Sequence, residues 1–241
     1  MLDIPFRTII NMGKTTTESF PRGNFVVINP PDAVLNAADK RRTKEKFVEH
    51  QIPTAEYWPD FVIPADKFPI VVKHRFGSRG TGVYLIETPE KLAEFFRARG
   101  EARVKEQFIA ERFKNYRYEY RVHATQTEVF LANRKARQEG VPQECRWKHS
   151  FGTSVWFNED NPEFRTPSTW EEIKAACCRA VAALGMDFAA IDVKVSMSGK
   201  FFLIEANSAP SLGDATREHY LRVIPELARK VRETRGTTRI P

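Results

Sequence analysis

Apolar and polar positions alternate along this chain in short runs, dividing it into brief strands and a few amphipathic helices. Phe25, Val26, Val27 and Ile28 form the one clear apolar run in an otherwise irregular stretch over residues 1–37, and Pro30-Pro31 stops it. Residues 39–50 read as a helix rich in Lys, Arg and Glu, capped by Asp39 or Asn36. Residues 51–58 are extended around Pro53, and 69–73 form a compact apolar strand. A glycine-rich stretch over 76–82 leads into a strand at 83–86. Thr88-Pro89-Glu90 opens a helix over 90–99, with a cap residue, a first-turn proline and an acid in order. Residues 104–110 read as a strand, and 118–125 with 128–135 as a hairpin about Gln126-Thr127. Ser168, with Glu171 three residues on, predicts a boxed helix start for 168–184. Strands at 188–195 and 200–206 flank a turn at 196–199, and a helix over about 217–233 precedes a basic tail. Repeats are absent. This order lacks the regular βα alternation of a doubly wound sheet and predicts two α+β lobes.

Composition narrows the class. The 241 residues are 41% hydrophobic and 29% charged, which is enough apolar material for a packed core. A bilayer-spanning helix needs roughly 20 consecutive apolar residues. The longest candidate, over 181–195, is broken by Gly185, Asp187, Asp192 and Lys194, so no membrane span is expected. Asp3 and Pro5 stand where a signal peptide would put a basic patch and an apolar core, so a cytoplasmic location is expected. The three cysteines, Cys145, Cys177 and Cys178, fit no zinc spacing. With 38 Lys and Arg against 31 Asp and Glu the net charge is +7. That charge suits an acidic acceptor or a phosphate pocket. Nucleic acid is not expected: the basic and aromatic residues of 113–121 would suit stacking, but Glu119 breaks the positive run.

Two segments carry candidate chemistry. Gly13-Lys14-Thr15 ends like a phosphate loop, but Thr8 occupies the position where that loop needs its first glycine. Residues 71–83 are different: a strand delivers Lys73 to a loop with Gly77, Gly80 and Gly82. Glycines there let backbone N–H groups close over anionic oxygens; an ordinary hairpin turn is the alternative. Near the C-terminus, Asp192 sits inside an apolar strand, Glu205 ends another, and Asn207 follows two residues on. Strand alternation puts Glu205 and Asn207 on one face, together with Phe201 and Leu203. If the strands pair, Asp192, Glu205 and Asn207 converge as hard oxygen ligands for Mg²⁺.

Residues 39–44 (Asp-Lys-Arg-Arg-Thr-Lys), the strand and lysine of 69–73 with its glycine loop, Glu106-Gln107-Phe108-Ile109, Ala190-Ile191-Asp192-Val193 and Glu205-Ala206-Asn207-Ser208-Ala209-Pro210 occur in that order. Over about residues 38–215 the set resembles the ATP-grasp superfamily, most of all its carboxylate–amine ligases, the ribosomal-protein glutamate ligases and D-alanine–D-alanine ligases. The resemblance implies an α+β fold whose two lobes hold ATP between them, with 1–37 an abbreviated N-terminal segment, 38–108 the first lobe and 109–241 the second. It implies that Lys40 and Lys73 reach phosphates, and that Gly77, Ser78, Gly80, Thr81 and Gly82 belong to a lid. Glu106, Gln107, Phe108 and Ile109 would be the adenine-reading hinge, Glu119 would hold the ribose, and Leu203 would wall the adenine slot. Asp192, Glu205 and Asn207 would bind Mg²⁺, with Mn²⁺ able to substitute, and Arg134 and Arg121 would act with Lys73 on the reacting groups.

The implied reaction is ATP-dependent amide or peptide bond formation between a carboxylate substrate and an amine acceptor, through an acylphosphate, releasing ADP and phosphate. The alternatives are an ATP-grasp kinase and a non-catalytic nucleotide- or nucleic-acid-binding module. Two departures bear on substrate recognition: the short N-terminal segment, and residues 147–152, which differ from the glutamate ligases' stretch. Among single residues, His123 reads as structural, and His74 either lines the phosphate site or faces away. Lys148 and His149 are candidates for acceptor contact, and Cys177 and Cys178 read as packing. Lys194 shares a face with Asp192 and either balances carboxylates or leans into the pocket. Oligomeric state is left open.

Overall fold

The computed structural model describes residues 6–78, 80–140, 154–211 and 213–241. Three sheets carry the architecture. A five-stranded antiparallel sheet has the order β11 (Phe201–Asn207), β10 (Phe188–Val195), β7 (Tyr118–Thr125), β8 (Val129–Arg137), β9 (Ser154–Asn158). A four-stranded antiparallel sheet has the order β3 (Tyr57–Trp58), β6 (Phe108–Arg112), β4 (Ile70–His74), β5 (Val83–Ile86). The third joins β1 (Thr8–Ile10), β2 (Gly23–Ile28) and β12 (Thr238–Ile240). The basic tail therefore ends in a strand, antiparallel to β2.

Alternation on the five-stranded sheet decides what each face does. Tyr120, Val122, Ile191, Val193 and Leu203 point into the main core, against α5 (Trp170–Ala183), α1 (Pro31–Ala38) and α2 (Lys40–Glu49). The opposite face is covered by α6 (Asp214–Arg235) around His123, Leu131 and Phe188. Beyond that cover, among the described residues, its charged side chains line a cleft. The smaller sheet packs Ile70, Val72, Phe108 and Ala110 against Leu92 and Phe95 of α3 (Pro89–Arg99) and Val104 of α4 (Glu101–Gln107), and turns its other face toward the larger sheet. A backbone bond from Leu203 N to Pro53 O (2.8 Å), and a Thr54 hydroxyl donating to Leu203 O (3.0 Å), tie the two layers.

Several expected elements moved. Residues 104–107 are helical, because Glu101 through Gln107 are mostly good helix formers with one buried residue, Val104, and the continuous apolar run begins only at Phe108. β6 then continues to Arg112 within the four-stranded sheet, so the chain crosses between sheets after Arg112, not after 108. Helices α1 and α2, assigned above to the N-terminal segment and the first lobe, pack on the larger sheet. α5 starts at Trp170, and Thr169, rather than capping it, donates to Gly199 O (3.1 Å). Among the described residues no helix is long and apolar enough to cross a membrane.

Candidate active site

A cleft of about 900 Å³ opens between the two larger sheets. On the four-stranded side, alternation presents Val71, Lys73 and Glu111, since Val71 and Glu111 are register partners. Lys73 Nζ lies 2.9 Å from Glu111 Oε2, and the fully buried Lys44 Nζ lies 3.4 Å from the same oxygen. Lys44 also donates to the Thr54 hydroxyl (2.6 Å). Burial pulls the Lys44 ammonium down to about 8, against the opposing pull of Glu111. Burial would raise Glu111; the two lysines outweigh it and hold the carboxyl below its usual range. Glu111 Oε1, however, is buried with no hydrogen-bond partner among the described residues. An orphan acceptor of this kind costs stability until a donor arrives.

The glycine loop closes one end of the cleft. Gly77, Ser78 and Gly80 line it, while Thr81 is exposed and Gly82 packs back on His74. A Cβ on Gly82 would stand 2.8 Å from His74 Cβ, and Gly82 has φ +69°, so this crossing needs glycine. His74 thus faces the loop's own packing. Lys40, at the start of α2, donates to Gly77 O (2.5 Å) and lies 3.8 Å from Glu205 Oε2. Asp39 caps α2 through Arg41 N (3.0 Å) and pairs with Arg75, bracing the helix against the loop. Arg79 lies outside the described residues.

On the five-stranded side one row crosses four strands in register: Glu205, Asp192, Arg121, Asn133. Arg121 grips both Asp192 oxygens, Nε to Oδ1 at 2.7 Å and Nη2 to Oδ2 at 2.8 Å. Burial pushes the Asp192 carboxyl up, but the guanidinium holds it below its usual range. Asn207 donates through Nδ2 to Ala190 O (3.4 Å), a bond that does not use its carbonyl oxygen. The next row is Lys194, Glu119, Lys135. Glu119 lies 3.1 Å from Lys135 and 3.9 Å from Lys194, and Lys194 sits over the Tyr116 ring.

Lys40, Lys73, Gly77, Ser78, Gly80, Glu119, Asp192 and Glu205 therefore meet in one cleft, and Arg121 adjoins it through Asp192. Three sequence expectations are corrected. Glu106 and Gln107 end α4, where their carbonyls accept from the side chain and backbone N–H of Arg75 (3.0 and 2.8 Å). Phe108 belongs to the smaller core, and Ile109 is fully buried, so none of the four lines the cleft. The cleft-lining crossover is instead Glu111, Arg112, Phe113 and Lys114. Leu203 is fully buried in the main core, because a bulge in β11 opposite Asp192 and Val193 shifts the parity. Phe202 and Ile204 take the cleft wall in its place. Arg134 pairs in register with Tyr120 and so projects from the opposite face, to Glu163, whose carbonyl it donates to.

Of the other candidates, His123 is buried against the Tyr220 hydroxyl (2.9 Å) and pulled down to about 3 by burial, a neutral core residue. Cys177 is buried in the main core and Cys178 half-buried beside it. Lys148 and His149 lie outside the described residues. Lys44, Glu111, Lys135, Phe202 and Ile204 were missed; the sequence signal for Lys44 was its place one turn after Lys40, and for Lys135 its alternation with Asn133.

Two α+β layers with lysines, a glycine loop and opposed carboxylates between them constitute the ATP-grasp fold. The RimK-like ATP-grasp domain matches residues 50–231, and the chain belongs to that family. It is 28% identical over 191 residues to a D-alanine–D-alanine ligase of Chromohalobacter salexigens, covering 73% of this chain and 56% of that protein. It is 26% identical over 208 residues to the tetrahydromethanopterin:alpha-L-glutamate ligase of Methanococcus maripaludis, covering 78% of this chain and 63% of that protein. The chain thus spans somewhat over half the length of these relatives. The crystal structure of a D-alanine–D-alanine ligase from Bacillus anthracis superposes with TM-score 0.65 at 18% identity, over 86% of this chain and 72% of that one. The ATP-grasp ligase PsnB, complexed with a precursor variant, Mg and ADP, gives 0.58 at 16% identity, over 85% and 61%.

Proposed function

We propose that this protein is an ATP-dependent carboxylate–amine ligase. The observation that carries the reading is the register pairing of Asp192 with Glu205 at the end of a cleft lined by Lys40 and Lys73. Kinship with named ligases supports it. Glu111 Oε1 is a ready acceptor for the exocyclic amine of an adenine, and Phe202 and Ile204 are apolar surface for its ring. Glu119 is the acid for the ribose. Asp192, Glu205 and Asn207 fit a hard divalent cation: two carboxylates and an amide leave room for phosphate oxygens and water. Bound there, Mg²⁺ or Mn²⁺ neutralises phosphate charge.

A carboxylate is a poor electrophile. Its oxygen attacks the γ-phosphorus of ATP, the bond to the bridging oxygen breaks, and ADP leaves. An amine then attacks the acylphosphate carbon, phosphate departs and the amine gives up a proton. The first step brings an anion to a polyanion, so this chain's task is charge neutralisation by Lys40, Lys73 and Arg121. The loop with Gly77 and Gly80 keeps water from the acylphosphate. The test is release of ADP and phosphate across pooled amino acids and acidic peptides. Acceptor-dependent turnover is expected, and Glu205→Gln should lower it by about 100-fold or more with the fold intact. A phosphorylated product, or magnesium-dependent binding without turnover on any pool, would overturn the ligase reading.

A further inference from the structure

Arg121 holds the carboxylate that the proposed cation requires. Both Asp192 oxygens are within 2.7–2.8 Å of its guanidinium, while the neighbouring Glu205 has its ion-pair partner, Lys40, at 3.8 Å. A side-on guanidinium satisfies a carboxylate almost fully. A divalent cation arriving on Asp192 and Glu205 therefore competes for the same charge and repels the guanidinium at close range. Arg121 also has a second place to rest. The half-exposed Trp156 ring, on the edge strand β9 two strands from Arg121, lies 5.3 Å from Arg121 Cζ, and Lys135 flanks the same ring at 5.6 Å. Asn133 sits beside Arg121 in register on that face.

We infer that Arg121 is a latch which closes on Asp192 when the cleft is empty and is released by the divalent nucleotide, becoming a receptor for the substrate carboxylate beside Trp156. The inference rests on the ligase reading and adds an order to it: the carboxylate binds after the nucleotide, because its receptor is occupied until then. A planar guanidinium suits both partners, and lysine would not replace it.

Arginine-selective labelling with phenylglyoxal, read by peptide mass spectrometry, tests this on the full-length protein. Arg121 should be protected without ligand and labelled at least several-fold faster with Mg²⁺ and ADP. Excess L-glutamate, used as a carboxylate probe, should restore protection only when Mg²⁺ and ADP are present. Asp192→Asn should label Arg121 without any ligand, which separates release of the latch from coverage by nucleotide; circular dichroism checks its fold. Calorimetry on the same samples reads Mg²⁺·ADP binding. Binding with Arg121 protected throughout, or Asp192→Asn still protected while folded, overturns the latch and leaves the nucleotide site standing. Absence of Mg²⁺·ADP binding overturns both.

Discussion

Lys44 is buried to 1% of its side chain, yet it belongs to a helix whose composition reads as a solvated charged face. Apart from standing one turn after Lys40, nothing in the composition of residues 40–49 distinguishes it from Lys46, which is partly exposed and pairs with Glu49. What buries Lys44 is tertiary: Thr54 and Glu111 arrive from the smaller layer to satisfy its ammonium. Its depressed value has a definite consequence. Below about pH 8 both folded and unfolded Lys44 are charged, and the full burial cost is present. Between there and the ordinary lysine value of 10.5 the unfolded chain binds more protons, so stability rises with pH. The rise from this group is on the order of 3 kcal/mol. Denaturant unfolding from pH 8 to 10.5 should show it in the wild type and a flatter slope in Lys44→Met; equal slopes would refute the assignment. Glu111 was hidden for a related reason, because its importance follows from meeting two lysines distant in sequence.

Strand β11 shows how one extra residue redirects a site. Strict alternation from Glu205 backward predicts Leu203 in the cleft, and the bulge reverses that, sending Leu203 inward and Phe202 and Ile204 outward. The pairing of Asp192 with Glu205 was legible because Glu205 lies beyond the bulge and Asp192 interrupts an apolar strand. The wall was not, since a bulge leaves no compositional mark. Truncation separates the two roles. Leu203→Ala should cost about 2–5 kcal/mol of stability, read by denaturant unfolding. Ile204→Ala should leave stability nearly unchanged and weaken ADP binding about tenfold, read by calorimetry, for the loss of apolar contact of about 1.4 kcal/mol. The reverse pattern would restore the unbulged register. The helix at 101–107 illustrates the opposite failure: local preference was informative there, and the apolar residues after it drew the strand boundary too early. Arg134 erred by one residue for the same physical reason, since parity alone chooses the face.

At the scale of the molecule, the two lobes were readable from element order, while the third sheet was not, because its strands are short and lie at opposite ends of the chain. Asn29 is the joint. At φ +58° it donates through Nδ2 to Phe188 O, accepts at Oδ1 from the backbone of Asp187 and Phe188, and donates its own N–H to Asp187. Arg235 closes the network onto Asp187 at 2.6 Å and onto Val27 O at 3.1 Å. Asn29→Ala should therefore destabilise the protein by about 3 kcal/mol or more, since several buried groups lose partners at once and alanine tolerates this backbone poorly. Denaturant unfolding checks it, and a loss below 1 kcal/mol would mean water replaces the side chain. The pairing of Thr238 with Phe25 carries a kinetic consequence. These partners are so distant in sequence that closing the loop between them carries a large entropic cost, so that sheet completes late, and pulse-labelled exchange should find the Phe25 amide among the slowest to gain protection.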